Sequence, residues 1–232
     1  MPSSYTLYQM TAFPRVDVGG VIAAPQQLAM HFSGDAIDEP PRTELKFHRT
    51  IEILHMDVFR GLHEFIVRKS GRAWGVRFNL FIAAMRFPAY YERTQKLLML
   101  KVPKKVAHGA MRQLVKNHAV DGQHRNIDLD SIKPYIERFK GVWFSVDDSA
   151  YVTSQALFGP SVDQDLRFER ASGEGKMFSI RLDHEFRSEL IHIGISSDSN
   201  VVVYDESLDE HLELELVLDI KARLLDMAKD KE

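Results

Sequence analysis

The sequence predicts an α+β fold in which a mixed N-terminal part, carrying a long amphipathic helix, is followed by a mainly antiparallel β C-terminal part. Three observations predict it. Phe47, Ile51, Leu54, Val58, Leu62 and Phe65 recur at steps of four and three, the period of one helical face. After Gly141 the period shortens to alternating runs at 142–146, 151–158, 190–196 and 201–204, separated by turn-forming clusters. The chain has 232 residues, no cysteine, 44% hydrophobic and 27% charged residues, the composition of a globular protein that buries a core without disulfide staples.

Along the chain, residues 5–12 alternate weakly and predict an opening strand, and 25–32 a short helix before a loop over 33–41. The long helix is placed over 42–69, started by Pro40 and Pro41 and stopped by Arg68, Lys69 and Gly71. Val76, Phe78, Leu80 and Ile82 alternate as a strand, the pattern breaks at Pro88, and 96–102 is apolar enough for another strand. Pro103 then opens a helix to 117 whose first turn holds Lys104 and Lys105. Two cations there oppose the helix dipole, a placement that suits an anion nearby or an acidic neighbour elsewhere in the fold.

A short amphipathic helix over 129–139 ends at Gly141. Beyond it, 166–171 and 176–183 flank the turn Ser172-Gly173-Glu174-Gly175 as a hairpin. Leu212, Leu214, Leu216 and Leu218 alternate with Glu213, Glu215, Val217 and Asp219 as a late strand, and 222–229 reads as a closing helix. Gly141 divides a basic part, 1–141, from an acidic β-rich part, 142–232, and without a linker the two are expected to pack as one body.

Several classes of function are set aside. Without cysteine there is no thiolate zinc site and no cysteine nucleophile. There is no basic leader and no run of about 18 apolar residues, which predicts a soluble cytoplasmic protein with no membrane partner. Neither G-x-x-x-x-G-K-[ST] nor G-x-S-x-G occurs. His55 with His63, and His184 with His192, lack the spacing of metal ligands, so no metal and no cofactor is expected.

Charge is the informative feature. Residues 1–59 hold 4 Lys/Arg against 7 Asp/Glu, 60–118 hold 13 against 2, and 119–232 hold 13 against 24, for net charges of −3, +11 and −11. The basic block is interleaved with aromatics, a mixture in which cations neutralise phosphates while ring and guanidinium planes stack on unpaired bases. It nominates Arg68, Lys69, Arg72, Trp74, Arg77, Arg86, Arg93, Lys96, Lys104 and Lys105 as contacts to single-stranded nucleic acid. The acidic residues Asp205, Glu206, Asp209, Glu210, Glu213, Glu215 and Asp219 offer the block another partner, within the chain or in a homo-oligomer or protein complex.

One enzymatic alternative stands beside this. On the strand expected at 212–219, Asp219 and Lys221 are two apart and share a side, with Asp205 ending the preceding strand. This trio resembles the acidic-plus-D/E-x-K arrangement of metal-dependent nucleases, which implies two carboxylates holding Mg²⁺ and a lysine positioning the attacking water. The preferred expectation is a non-enzymatic binding or assembly protein acting through its basic aromatic block. The alternatives are a Mg²⁺-dependent nuclease using Asp205, Asp219 and Lys221, and a small-molecule binder in a C-terminal β-barrel or sandwich.

Overall fold

A computed structural model describes residues 2–25, 41–73, 76–79, 81–146 and 153–230; of Pro25 and residues 72–78 only the backbone is described, where it is described at all. The chain forms two compact units, one of Tyr8–Gln123 and one of residues 1–7 with 124–232.

The unit Tyr8–Gln123 holds the second half of β1 (Ser3–Ala12), then β2 (Val21–Pro25), β3 (Arg42–Ile51) and β4 (Met56–Val67). A small hairpin, β5 (Gly71–Ala73) with β6 (Val76–Phe78), precedes β7 (Phe81–Glu92), β8 (Leu97–Lys101), α1 (Lys104–Lys116) and β9 (Asp121–Gln123). The strand order is β8-β7-β4-β3-β2, with β1 beside β8 and β9 antiparallel to β1.

The long helix expected over 42–69 is not formed. Its segment is β3, a single turn at Glu52–Leu54 closed by His55 at φ 50°, and β4. Thr43 and Leu45, and Met56, Val58, Phe59, Gly61 and His63, are the buried positions there. A bulge between Phe47 and Arg49 and the turn at 52–55 each slip the strand phase, so an apolar set spaced by fours and threes arises from a hairpin. Composition favours that outcome: Thr43, Thr50, Ile51, Val58, Ile66 and Val67 are β-branched, and Gly61 weakens a helix interior. Gly61 instead seats the Phe87 ring, whose Cε2 would lie 2.3 Å from an added Cβ.

β4 and β7 pair along their full length, from Met56↔Glu92 to Val67↔Phe81. β3 accompanies β4 only as far as His63, and β8 pairs β7 only from Ala89. The remainder runs on as a two-stranded ribbon. Pro88, expected to break the strand, stands at the last β7 position before β8 begins to pair, where the neighbouring edge is open. The helix expected after Pro103 is α1; it buries Ala107, Ala110, Met111 and Leu114 against Tyr8, Leu45, Phe59, Phe87, Leu98 and Leu100.

In the other unit the first half of β1 pairs β14, from Ser3↔Val203 to Thr6↔Asn200. Its remaining strands and α-helices are β10 (Phe139–Ser145), β11 (Ser154–Phe158), α2 (Leu166–Glu174), β12 (Met177–Phe186), β13 (Glu189–Ser196), β14 (Asn200–Val203) and α3 (Glu210–Ile220). The order β11-β10-β12-β13-β14-β1 is antiparallel and open, with β11 at its edge, so the C-terminal barrel considered above is not formed. Val142, Phe144, Ile180, Leu182, Ile193, Ile195, Val201 and Val203 supply its buried face.

Three further expectations are corrected in this unit. Residues 166–174 are α2, not a hairpin arm, because Asp165 accepts from the Arg167 N–H as N-cap. The alternating leucines lie on α3, where Asp209 accepts from the Leu212 N–H and Glu210 and Glu213 complement the dipole in the first turn. Leucine and glutamate are strong helix formers, and that preference, with the cap, outweighs a period-two pattern. Residues 129–135 form a 3-10 run containing Pro134 in place of an α-helix. The short helix and loop expected over 25–41 fall almost entirely outside the described residues. Among the described residues no helix is long and apolar enough to cross a membrane.

Candidate nucleic-acid interface

The basic block of the unit Tyr8–Gln123 divides by location. Arg68 and Lys69 leave the ribbon at the end of β4, and Arg86 stands on β7; all three are exposed and carry no ion pair among the described residues. Arg72 and Arg77 are cross-strand neighbours in the β5–β6 hairpin, with side chains outside the described residues, as is Trp74. Lys104 and Lys105 occupy the first turn of α1 behind Pro103, both exposed. On α1, Lys105, Arg112 and Lys116 follow at spacings of seven and four, which aligns them as one solvent stripe opposite the buried alanines.

Of the block's two carboxylates, only Glu92 turns inward. Glu92 is buried and accepts the backbone N–H groups of Thr94, at 3.0 Å, and Gln95. Glu64 accepts the Arg42 N–H at 3.1 Å.

Arg93 has a different role from its neighbours. Its Nε donates to Asp57 Oδ2 at 2.9 Å, and its Nη2 donates to Asp57 Oδ1 and to Thr50 Oγ1 at 3.2 Å. Burial pushes the Asp57 carboxyl up, but the hydrogen bonds from Arg93 and Thr50 and the Arg93 charge outweigh it and hold the group below the ordinary carboxylate range. Arg93 is therefore a buttress for the surface.

That buttress walls a cleft of 610 Å³ lined among others by Phe13, Arg15, Phe47, Tyr91 and Lys96. A second hollow of 780 Å³ shares Phe13, Pro14, Tyr91 and Lys96 and reaches His118 beyond the end of α1. Volumes of this order suit a nucleotide-sized group. Phe13 and Tyr91 stack at 4.1 Å and 18°, and Phe13 also meets Phe59 edge to face at 5.5 Å. Burial first, then the charges of Glu92 and Asp57, push the Tyr91 phenol up, so it stays a neutral ring. Lys96 stands at both mouths in the left-handed region, φ 53°, its turn fixed by Glu92 and by the Met10 N–H on the Lys96 carbonyl at 2.9 Å. Phe13 and Arg15 lie far upstream of the basic block in sequence and are brought to it only by the pairing of β1; no spacing announces them.

The nuclease trio is dispersed into separate local pairings. Asp205 accepts from Ser207 Oγ at 2.7 Å and the Ser207 N–H at 2.8 Å, bonds that hold its carboxyl below the ordinary range. Asp219 lies on α3, 2.7 Å from His184 Nε2 and 2.9 Å from Arg223 Nε. Lys221 donates to both oxygens of Asp226, at 2.9 and 2.8 Å. Among the described residues no group of three or more His, Asp or Glu is placed to hold a metal ion.

No protein-family model matches this chain, and no curated protein is significantly similar to it.

Proposed function

We propose that this chain is a non-catalytic protein that binds single-stranded nucleic acid through the unit Tyr8–Gln123. One observation carries the reading: Arg68, Lys69, Arg86, Lys96, Lys105, Arg112 and Lys116 are all exposed without an ion pair among the described residues, while the block's own carboxylates are engaged within the fold. Such a surface is costly in self-repulsion and is relieved by a polyanion. The aromatic cleft at Phe13 and Tyr91, with Lys96 at its mouth, supplies the apolar floor that a flexible strand needs for its bases. The cysteine-free composition fits a cytoplasmic location.

The test is retention of a fluorescent oligonucleotide, single-stranded and duplex, at two ionic strengths. The expected result is tighter binding of the single strand and a steep loss of affinity as salt rises. Absence of retention at low salt, with concentration-dependent self-association instead, would replace this reading by the acidic-surface one, in which exposed Glu206, Asp209 and Glu210 of a second copy take the place of phosphates. The nuclease alternative gains nothing from the pairings of Asp219 and Lys221.

A further inference from the structure

In the unit of residues 1–7 and 124–232, the sheet carries on its outer face a layer of rings around one guanidinium. Ile180, Leu182 and His184 are buried, so the alternation of β12 puts Arg181 and Asp183 on the opposite face. The guanidinium carbon of Arg181 lies 4.6 Å from the ring centroid of Tyr204, 5.3 Å from Trp143 and 6.0 Å from Phe158. Trp143 and Phe158 meet edge to face at 4.9 Å. Two glycines let the rings lie close: a Cβ at Gly141 would be 2.9 Å from Phe158 Cδ1, and one at Gly194 would be 3.3 Å from the Tyr204 hydroxyl.

Covering of strand glycines by rings accounts for part of this layer, but not for the state of its cation. Arg181 Nε is buried without a hydrogen-bond partner, and the guanidinium enters no ion pair among the described residues. Asp183, two residues along, is already shared by Lys140 at 2.9 Å and His192 at 3.1 Å. Contact with three rings confines the guanidinium, so receiving a planar or tetrahedral oxyanion requires little further ordering. Beside it Phe158 is 61% exposed on the edge strand β11. The acidic helix α3 does not oppose an anion here, because it meets the other face of the sheet, where Asp219 reaches His184.

We infer that this face is a second contact surface for single-stranded nucleic acid, on which a base stacks against Phe158 and its phosphate is received by Arg181. The inference rests on the nucleic-acid reading above and adds a site to it. An acidic peptide would satisfy Arg181 and leave Phe158 exposed; a nucleotide uses both.

The chain has two tryptophans, Trp74 and Trp143, so a Trp74→Phe background makes Trp143 the sole indole reporter. Titration with a short oligothymidylate is expected to quench Trp143 emission. Phe158→Ala and Arg181→Met are each expected to weaken that response about tenfold, the scale of one lost base stack. Phe158→Ala removes an exposed ring from an edge strand, so it remains a test if Arg181→Met does not fold. Unchanged quenching in Phe158→Ala overturns the inference, as does equal quenching by inorganic phosphate alone, or quenching by a polyglutamate peptide in place of the oligonucleotide. Retention that survives Phe158→Ala at full affinity, yet falls in a Lys105→Ala, Arg112→Ala, Lys116→Ala protein, sinks this site and leaves the other. Trp143 quenching that persists in the triple variant while overall retention is unchanged does the reverse.

Discussion

Thr43 Oγ1 and His63 Nδ1 lie 2.7 Å apart across the β3–β4 pair, and Gly109 of α1 closes over the opposite ring nitrogen. A Cβ at Gly109 would stand 2.8 Å from His63 Nε2. In open space Gly109→Ala would favour the helix by about 1 kcal/mol. Here the imidazole is held from its other side by Thr43, and overpacking of this kind costs about 1–3 kcal/mol. The clash outweighs the propensity. Gly109→Ala is expected to lower the urea midpoint of unfolding, and a raised midpoint would mean that His63 swings clear.

The same histidine sets a pH dependence. Burial pushes the His63 pKa down, with the Glu64 charge opposing only in part. A histidine held neutral in the folded state leaves the unfolded state binding more protons. Its contribution is therefore fully present above about pH 6.5, the ordinary histidine value, and is lost as pH falls through the lower folded value. Stability is expected to decline as pH falls below the ordinary histidine value, and His63→Gln to flatten that decline. Asp57 and Asp183, both held below the ordinary carboxylate range, act in a separate window at lower pH. An identical slope in the His63→Gln protein would assign the effect elsewhere.

Two glycines of α2 and its C-cap make a paired prediction. Gly175 has extended backbone, φ −157°, which any residue adopts, yet a Cβ there would lie 1.7 Å from the Ser145 carbonyl oxygen. Backbone cannot yield as a flexible side chain does, so Gly175→Ala is expected to cost more than about 2 kcal/mol. Gly173, two residues earlier, has nothing within 4 Å of such a Cβ. Gly173→Ala is expected to stabilise α2 by up to about 1 kcal/mol. Thermal melts that rank the two alike would contradict the packing of β10 against this helix end.

These glycines also show how far the sequence was legible. Gly173 and Gly175 read as a hairpin turn because local composition cannot distinguish a glycine that bends the chain from one that admits a neighbour's carbonyl. The stripe from Phe47 to Phe65 is a helical period made by a bulge and a turn, and phase slips of that kind appear only once strands are paired. The leucine alternation of α3 misleads in the opposite direction, since Asp209 and the acidic first turn outweigh it. By contrast α1 was legible, because Pro103 and the periodic Ala107, Ala110, Met111 and Leu114 agree with one another. That the block is basic follows from composition, whereas its exposure, Phe13 and Arg15 at the cleft, and Arg181 among its rings depend on the folded arrangement of distant strands.

The last prediction separates cations that contact a polyanion from those that hold the fold. Lys105, Arg112 and Lys116 form one exposed stripe on α1, and alanine is the better helix former at each position, so the triple alanine variant is expected to keep its melting temperature. Each phosphate contact on a single strand contributes about 0.7 to the slope of log affinity against log salt. Loss of three such contacts should therefore reduce that slope by about 2. Arg93→Ala should behave in the opposite way, because it removes the bonds to Asp57 and Thr50 and leaves a partly buried carboxylate without its guanidinium. It is expected to lower stability while leaving the salt slope near that of the parent protein. A full slope in the triple variant, or a slope reduced by Arg93→Ala without loss of stability, would reverse these roles and move the interface from α1 to the cleft at Phe13 and Tyr91.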